Sequence, residues 1–297
     1  MAAESWELGQ RAQFYGEPDH GVPFDVQKYG TDDSLITTNV DLDFDWMRGR
    51  LAELGAPGRP ALCSHVSDWF VWNGNAAPGS RFERYQEAMR PYLLTAGPGL
   101  TLNDNLVPYP NEPGWALDPE SPGVWEAMVN FWDKEIWYRV EEVVPGQSRR
   151  EAAGTQDGPV GIYFDNAHDL VWDHWRQMVP GITDDQLRAK QRAWQEGTEW
   201  MVRELRRRWG NSIILTANFA HYAKFRKCPY LDVLNGITTE RWPATPQDWW
   251  MFIVQKIQSA RYRRGRTYSC AWHLNGPSPI PGLFRPGSHW SQRNANE

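Results

Sequence analysis

The sequence contains only three cysteines, Cys63, Cys228 and Cys270, and no two of them have the C-x-x-C spacing of a redox or zinc motif. Three scattered cysteines argue against a disulfide framework and indicate reduced residues of the core. Basic residues are in the minority, with 31 Lys and Arg against 37 Asp and Glu, which gives a net charge of −6. We therefore expect no nucleic acid partner.

Long apolar runs are also missing, since none approaches the roughly 18 residues that a membrane-spanning helix needs. Residues 1–7 lack the basic start and apolar centre of a signal peptide. No strand is followed by a G-x-G-x-x-G or a P-loop motif, and no H-E-x-x-H motif is present. The sequence therefore predicts a soluble protein with no N-terminal secretion signal, no membrane insertion, no cofactor and no metal.

Tryptophan, by contrast, is abundant, with 18 residues in a chain of 297. The flat, amphipathic indole ring suits the core, protein interfaces and stacking on the faces of sugar rings. The excess over average composition favours a carbohydrate site or a large interface, and composition alone does not choose between them.

Short β-rich runs alternate with amphipathic helical runs along the chain. The predicted strands lie at residues 34–40, 60–66, 99–104, 161–165, 212–218, 231–239 and 267–272. Repeated β-α units predict a parallel sheet, and the length suits a single (β/α)8 TIM-type barrel over residues 31–275 with one degenerate strand. Residues 1–30 form an N-terminal extension in this prediction, with Gln13-Phe14-Tyr15 a candidate eighth strand, and residues 276–297 form an extended C-terminal tail.

Two predicted strands end in carboxylates, Asp165 and Glu240, and one further strand, ending in Asn218, lies between them. Active sites of such barrels lie at the carboxyl ends of the strands. Two carboxyl groups about 5–9.5 Å apart are what glycoside hydrolysis requires. The sequence therefore predicts Asp165 and Glu240 as the catalytic pair of a glycosidase.

Other interpretations of these residues remain open. Asp165 can cap a helix or form a turn, and Glu240 can form a surface ion pair with Arg241. A metal-dependent hydrolase would use Asp165, His168 and Asp169. A nucleophile in the run Cys63-Ser64-His65 lacks the glycines of a nucleophile elbow.

Polar and aromatic residues near the same strand ends are the candidate substrate-binding residues. The polar candidates are His65, Asn103, Asp104, Asn166, His168, Asn218 and His221, and the aromatic candidates are Trp115, Trp172, Trp242 and Trp272. Amides, acids and imidazoles would bond to sugar hydroxyls, and the indole rings would stack on sugar faces.

Four segments form a set of short motifs: Trp115–Pro122, Gly161–Asp165, Ile214–Asn218 and Gly236–Glu240. They resemble the glycosyl-hydrolase barrels related to the endo-α-1,4-polygalactosaminidase family. The resemblance covers roughly residues 95–275 and implies Asp165 as nucleophile and Glu240 as general acid/base. Asn166 departs from the second aspartate often found in that family.

The resulting expectation is a glycoside hydrolase that cleaves a surface or extracellular polysaccharide. Such barrels usually act outside cells, so we hypothesise delivery as a phage tail component. Expected partners are the polysaccharide and a protein assembly, either a virion tail or a homo-oligomer. The alternative is a non-catalytic barrel that binds glycans or has a structural role in such an assembly.

Overall fold

The computed structural model describes residues 11–14, 26–32, 34–38, 44–67, 70–72, 76–95, 106–108, 114–137, 160–165, 172–210, 213–219, 228–241 and 266–271. Seven strands form one parallel sheet in chain order: β1 (Arg11–Phe14), β2 (Ser34–Thr38), β3 (Ala61–Ser67), β6 (Val160–Asp165), β7 (Ile213–Phe219), β8 (Gly236–Arg241) and β9 (Arg266–Ala271). The strands β4 (Phe70–Trp72) and β5 (Gly114–Ala116) form a separate antiparallel pair.

Helices connect the strands. They are α1 (Val26–Tyr29), α2 (Phe44–Glu53), α3 (Arg81–Met89), α4 (Val124–Trp137), α5 (Trp172–Met178) and α6 (Asp184–Trp209), with 3-10 turns at Arg90–Tyr92 and Leu231–Val233. The helix α6 begins with a reciprocal capping box between Thr183 and Gln186, in which each side chain accepts from the other residue's backbone N–H. The sequence pattern predicts this capping box, and the structure confirms it.

The predicted closed eight-stranded barrel is wrong. The prediction placed a strand at residues 99–104, outside the described residues, between the strands now labelled β3 and β6. These two strands instead pair directly, from Leu62 with Val160 to Ser67 with Asp165, and β2 occupies the other edge of β3. No place in the sheet is left between β3 and β6, and no described register joins β1 to β9. The fold is mixed α/β with a sequentially ordered parallel sheet.

Most other predicted strands are confirmed, at residues 34–40, 60–66, 161–165, 212–218 and 267–272, within a few residues. The candidate Gln13-Phe14 lies in β1, so residues 1–30 contribute a strand to the sheet. The strand predicted at residues 231–239 begins later, at Gly236, because residues 231–233 form a 3-10 turn.

The main core lies between one face of the sheet and the helices α3, α4 and α6. The sheet contributes Val66, Ile162, Phe164, Leu215 and Ala217 to it. These residues alternate along their strands with residues of the opposite face, as the two-residue period of a strand requires. The helices therefore cover one face of the central strands. On the opposite face, Cys63, His65, Tyr163, Thr216 and Asn218 are buried as well.

Helices α4 and α6 approach each other closely at Gly197. A Cβ atom on Gly197 would lie 2.0 Å from Nε1 of Trp125, and that indole donates a hydrogen bond of 3.2 Å to the carbonyl of Pro119. The ring is held in place, so a larger residue at position 197 has to displace one of the helices. Gly49 in α2 is also helical, but a Cβ there would meet no atom within 4 Å.

We expect Gly197→Ala to lower the free energy of unfolding by about 1–2 kcal/mol, because overpacking outweighs the gain in helix propensity. The matched control, Gly49→Ala, is expected to raise the free energy of unfolding by about 0.5–1 kcal/mol. Urea denaturation measures both changes. Equal effects of the two substitutions would show that the α4–α6 contact is not as tight as the structure has it.

A second link between α4 and α6 is the ion pair of Arg208 with Asp133 of α4, at 3.5 Å. Arg208 on α6 donates to Glu204 at 2.9 Å and to Asn130 of α4 at 3.1 Å, and Arg207 donates to Glu204 at 2.6 Å. The hydrogen bonds from Arg207 lower the pKa of Glu204 to about 2 from its ordinary value of 4.5. Partial burial of the carboxyl acts in the opposite direction, and hydrogen bonding from Arg208 adds a smaller lowering.

The lowered pKa means that the folded protein favours ionised Glu204 more than the unfolded chain does. We therefore expect Glu204→Gln to lower the free energy of unfolding by about 1 kcal/mol at pH 7. The difference in the free energy of unfolding between wild type and variant should have its full size above about pH 4.5 and disappear as the pH falls through about 2. Urea titrations from pH 2 to pH 7 measure it. Glu196→Gln is the control, since Glu196 lies on the same helix and forms no ion pair with any described residue. A difference that persists unchanged at pH 2 would contradict the assignment.

Candidate active site

The strands β6, β7 and β8 are neighbours, and each carries a candidate residue near its carboxyl end. Asp165 is the last residue of β6, Asn218 is the penultimate residue of β7, and Glu240 is the penultimate residue of β8. Parallel strands end at the same edge of a sheet, so the three positions share one edge. The order of strands predicted from the sequence is confirmed at this point.

The register gives the relative heights of the three residues. Phe164 pairs with Ala217 and Asn218 pairs with Thr238, so Asp165 lies level with Asn218 and Glu240 lies two residues beyond that level. Strand spacing and rise place the Asp165 and Glu240 backbones about 9.6 Å apart across the sheet and about 6.6 Å apart along it. The combined separation of the two backbones is about 11.7 Å, so the two carboxyl groups would have to extend towards each other to come within the 5–9.5 Å of a catalytic pair.

All three residues occupy positions on the same face. Ile162 and Phe164 lie in the main core, so Tyr163 and Asp165 occupy the opposite face, as do Thr216 and Asn218. We call this the site face and define it by the register positions of Cys63, His65 and Ser67 on β3, Gly161, Tyr163 and Asp165 on β6, Ile214, Thr216 and Asn218 on β7, and Gly236, Thr238 and Glu240 on β8.

An aromatic pair lies on the site face one layer below the acid positions. His65 and Tyr163 pair in register, both are buried, and their ring centroids are 5.8 Å apart at an angle of 31°. Because Tyr163 precedes Asp165 by two residues on β6, this pair lies on the same face as Asp165, one register level earlier along the strand. The sequence predicts His65 as a substrate-binding residue, and the structure places it close to the acid positions.

In the run Cys63-Ser64-His65, Ser64 and His65 lie on opposite faces of the sheet, so they do not form a nucleophile and base. Ser64 pairs with Ile162 of the main core, whereas Cys63 and His65 belong to the site face. Burial raises the pKa of the Cys63 thiol far above its ordinary value, so this thiol stays protonated at neutral pH. The arrangement therefore disfavours the nucleophile interpretation of this run.

Gly161 allows β6 and β7 to approach each other. A Cβ atom at position 161 would lie 2.0 Å from the carbonyl oxygen of Ile214 on the neighbouring strand. Because the obstacle is backbone, a side chain at this position would force the strands apart. Gly161 is the first residue of the segment Gly161–Asp165. Its lack of a side chain is what allows this segment to pair closely with β7.

The start of β8 is attached to β7 by two residues that the sequence analysis missed. The Asn235 side-chain oxygen accepts from the Leu215 N–H at 2.9 Å, and the Asn235 backbone N–H donates to the Leu215 carbonyl at 2.7 Å. Arg206 donates to the Asn235 side chain at 2.5 Å and to the Val233 carbonyl at 2.8 Å, and burial lowers the pKa of Arg206 to about 10. These contacts hold the register that places Glu240. The only sequence signal for them is an Asn-Gly pair ahead of a strand.

Two predicted sugar-binding tryptophans lie elsewhere in the described structure. Trp115 is partly buried against the main core, in β5. Trp172 begins α5, donates to the side chain of Gln191 at 2.5 Å and packs on a separate cluster with Trp194. The structure therefore groups these two rings with the helices and the β4–β5 pair, and not with the site face.

The remaining predicted site residues lie outside the described residues. They are Asn103, Asp104, Asn166, His168, His221, Trp242 and Trp272. Within the described ranges, no three or more His, Cys, Asp or Glu side chains are grouped as they would be around a metal ion. No helix in the same ranges has both the length and the apolar character to cross a membrane.

No protein-family model matches the chain, and no curated protein matches it. The case for a site therefore depends on the geometry of β6, β7 and β8.

Proposed function

We propose that the protein is a glycoside hydrolase that cleaves a polysaccharide with Asp165 and Glu240. The observation that supports this proposal is the register, which gives both acids positions on one face at the carboxyl edge of a parallel sheet. Catalytic residues of parallel α/β proteins concentrate at this edge. The resemblance of four segments to the endo-α-1,4-polygalactosaminidase-related enzymes supports the same two residues.

The chemistry needs one acid and one base. Glu240, in its protonated form, donates its proton to the glycosidic oxygen while the bond from that oxygen to the anomeric carbon breaks. Asp165, as a carboxylate, either bonds to the anomeric carbon and is later released by water, or takes a proton from the water that attacks that carbon. The resemblance favours the first course, with Asp165 as the nucleophile.

We further propose that the substrate is a surface or extracellular polysaccharide and that the protein acts as part of a phage tail. The support is the high tryptophan content, 18 of 297 residues, which suits sugar stacking and interfaces. Mass spectrometry of purified particles and size-exclusion chromatography of the protein test this assembly. A free monomer that is absent from particles would contradict it.

A digestion screen tests the activity. The purified protein is incubated with a panel of bacterial capsular, exopolysaccharide and amino-sugar polymers, and products are measured as new reducing ends and by size. We expect oligosaccharide release from one polymer class, and none from the same polymer with the Asp165→Asn/Glu240→Gln double variant. Binding without release by the folded parent would support the rival function, a non-catalytic glycan-binding protein.

A further inference from the structure

Asn218 occupies the centre of the site face. It lies on β7, the strand between the two acids, level with Asp165 and two residues below the level of Glu240. Its side chain is completely buried, with 0% exposure. An amide in this position is adjacent to both acid positions and is closed off from solvent.

Burial changes the role that the sequence predicts for Asn218. A substrate-binding amide has to reach the sugar, and a fully buried side chain offers little surface for that contact. Burying an amide without a hydrogen bond costs about 1–3 kcal/mol on the evidence of protein mutations, so buried amides are hydrogen-bonded. The neighbours on either side of β7 at this edge are the strands of Asp165 and Glu240.

We propose that Asn218 is a positioning residue, whose amide N–H₂ donates a hydrogen bond to the carboxylate of Asp165 and holds that acid ionised and correctly oriented. This inference rests on the proposed function, because it assigns the role of nucleophile to Asp165. An ionised carboxylate only accepts hydrogen bonds, and an asparagine amide has two donors to offer. A hydrogen bond to the charged form stabilises that form, which a nucleophile needs.

Other ionisable residues occupy register positions on the same face as Asp165. At the described register positions they are Cys63 and His65 on β3, Tyr163 on β6, Glu240 on β8, and Arg266, Tyr268 and Cys270 on β9. Asn218 is the uncharged polar residue level with Asp165 on the neighbouring strand β7. Replacing it changes the donor while leaving these ionisable residues in the sequence.

Carboxyl carbon NMR titration tests the proposal without requiring any activity. The Asp165 signal is assigned by its loss in Asp165→Asn, and its pKa is compared between the parent protein and Asn218→Leu, which has a similar volume. We expect the pKa of Asp165 to rise by about one unit, a tenfold gain in proton affinity. The matched control is Thr216→Val on the same strand and face, which removes a buried hydroxyl that donates to the Ile162 carbonyl at 3.4 Å. This control should leave the Asp165 titration unchanged.

An unchanged Asp165 titration in Asn218→Leu, or an equal shift in Thr216→Val, overturns the proposal. Asn218→Ala provides the same comparison if the leucine variant does not fold. If the digestion screen finds a substrate, the acidic limb of the pH profile of kcat/KM should move up by the same amount. If no polymer is hydrolysed but the NMR shift is as expected, the proposed function is wrong and the proposed hydrogen bond is supported. The failures of the two proposals are therefore distinguishable.

Discussion

Glu240→Gln is expected to slow polysaccharide hydrolysis by about 10²–10⁴-fold, because the amide cannot donate a proton to the leaving oxygen. Asp165→Asn is expected to reduce the rate by at least as much, since an amide neither bonds to the anomeric carbon nor activates water as a carboxylate does. Initial rates of reducing-end release on the polymer found in the digestion screen measure both effects.

The control variants carry the same chemical change elsewhere. Asp173→Asn alters an exposed carboxylate in the first turn of α5, and Glu126→Gln alters an exposed carboxylate in the first turn of α4. Neither residue belongs to the site face, so both variants should hydrolyse at the parental rate. Full activity in Asp165→Asn or Glu240→Gln would remove that residue from the mechanism.

Glu135→Gln is expected to cause the largest loss of stability among the substitutions proposed, about 3 kcal/mol or more. Glu135 on α4 accepts from Arg81 at 3.1 Å and from Arg84 through two bonds of 2.8 Å, and both arginines belong to α3. The Arg81 side chain is only 2% exposed, and its guanidinium carbon lies 4.2 Å from the centre of the Phe44 ring of α2. Removing the carboxylate leaves a buried cation between three helices without its counter-charge.

The double variant Arg81→Met/Glu135→Leu separates loss of the charge pair from loss of packing. Because apolar residues of similar volume often replace a buried pair at little cost, we expect the double variant to be more stable than Glu135→Gln alone. Glu87→Gln, an exposed position on α3, is the control and should change the free energy of unfolding by less than about 0.5 kcal/mol. Urea denaturation measures all three. If Glu135→Gln lowers the free energy of unfolding by less than about 1 kcal/mol, the Arg81–Glu135 pair contributes no more than an exposed ion pair does, and the prediction is wrong.

Local features of the structure follow from local patterns in the sequence. The capping box at Thr183 and Gln186 is recognisable because its hydrogen bonds join residues three apart. The strands that end in Asp165 and Asn218 are recognisable from apolar runs that stop at a polar residue. Because these features depend on neighbouring residues, the sequence alone predicts that the three candidate residues lie at the ends of β-strands.

The pairing of β3 with β6 could not be predicted in the same way. A strand-like pattern at residues 99–104 suggested another β-α unit, and counting such units produced the closed barrel. Which strands pair depends on hydrogen bonds between residues about 100 positions apart, such as Leu62 with Val160, and no local period encodes that choice. The buried Arg81–Glu135 pair was missed for the same reason, because its partners are separated by 54 residues.

The sequence by itself determined that parallel β-α units are present, that acids and an amide follow neighbouring strands, and that the chain lacks nucleotide-binding glycine loops. The tertiary structure decided that Asp165 and Asn218 lie level on one face, that Glu240 lies two residues beyond them, and that Asn218 is buried. The physical reason is that propensity and periodicity act within a segment. Register and burial arise only when distant segments exchange backbone hydrogen bonds and cover each other's apolar surface.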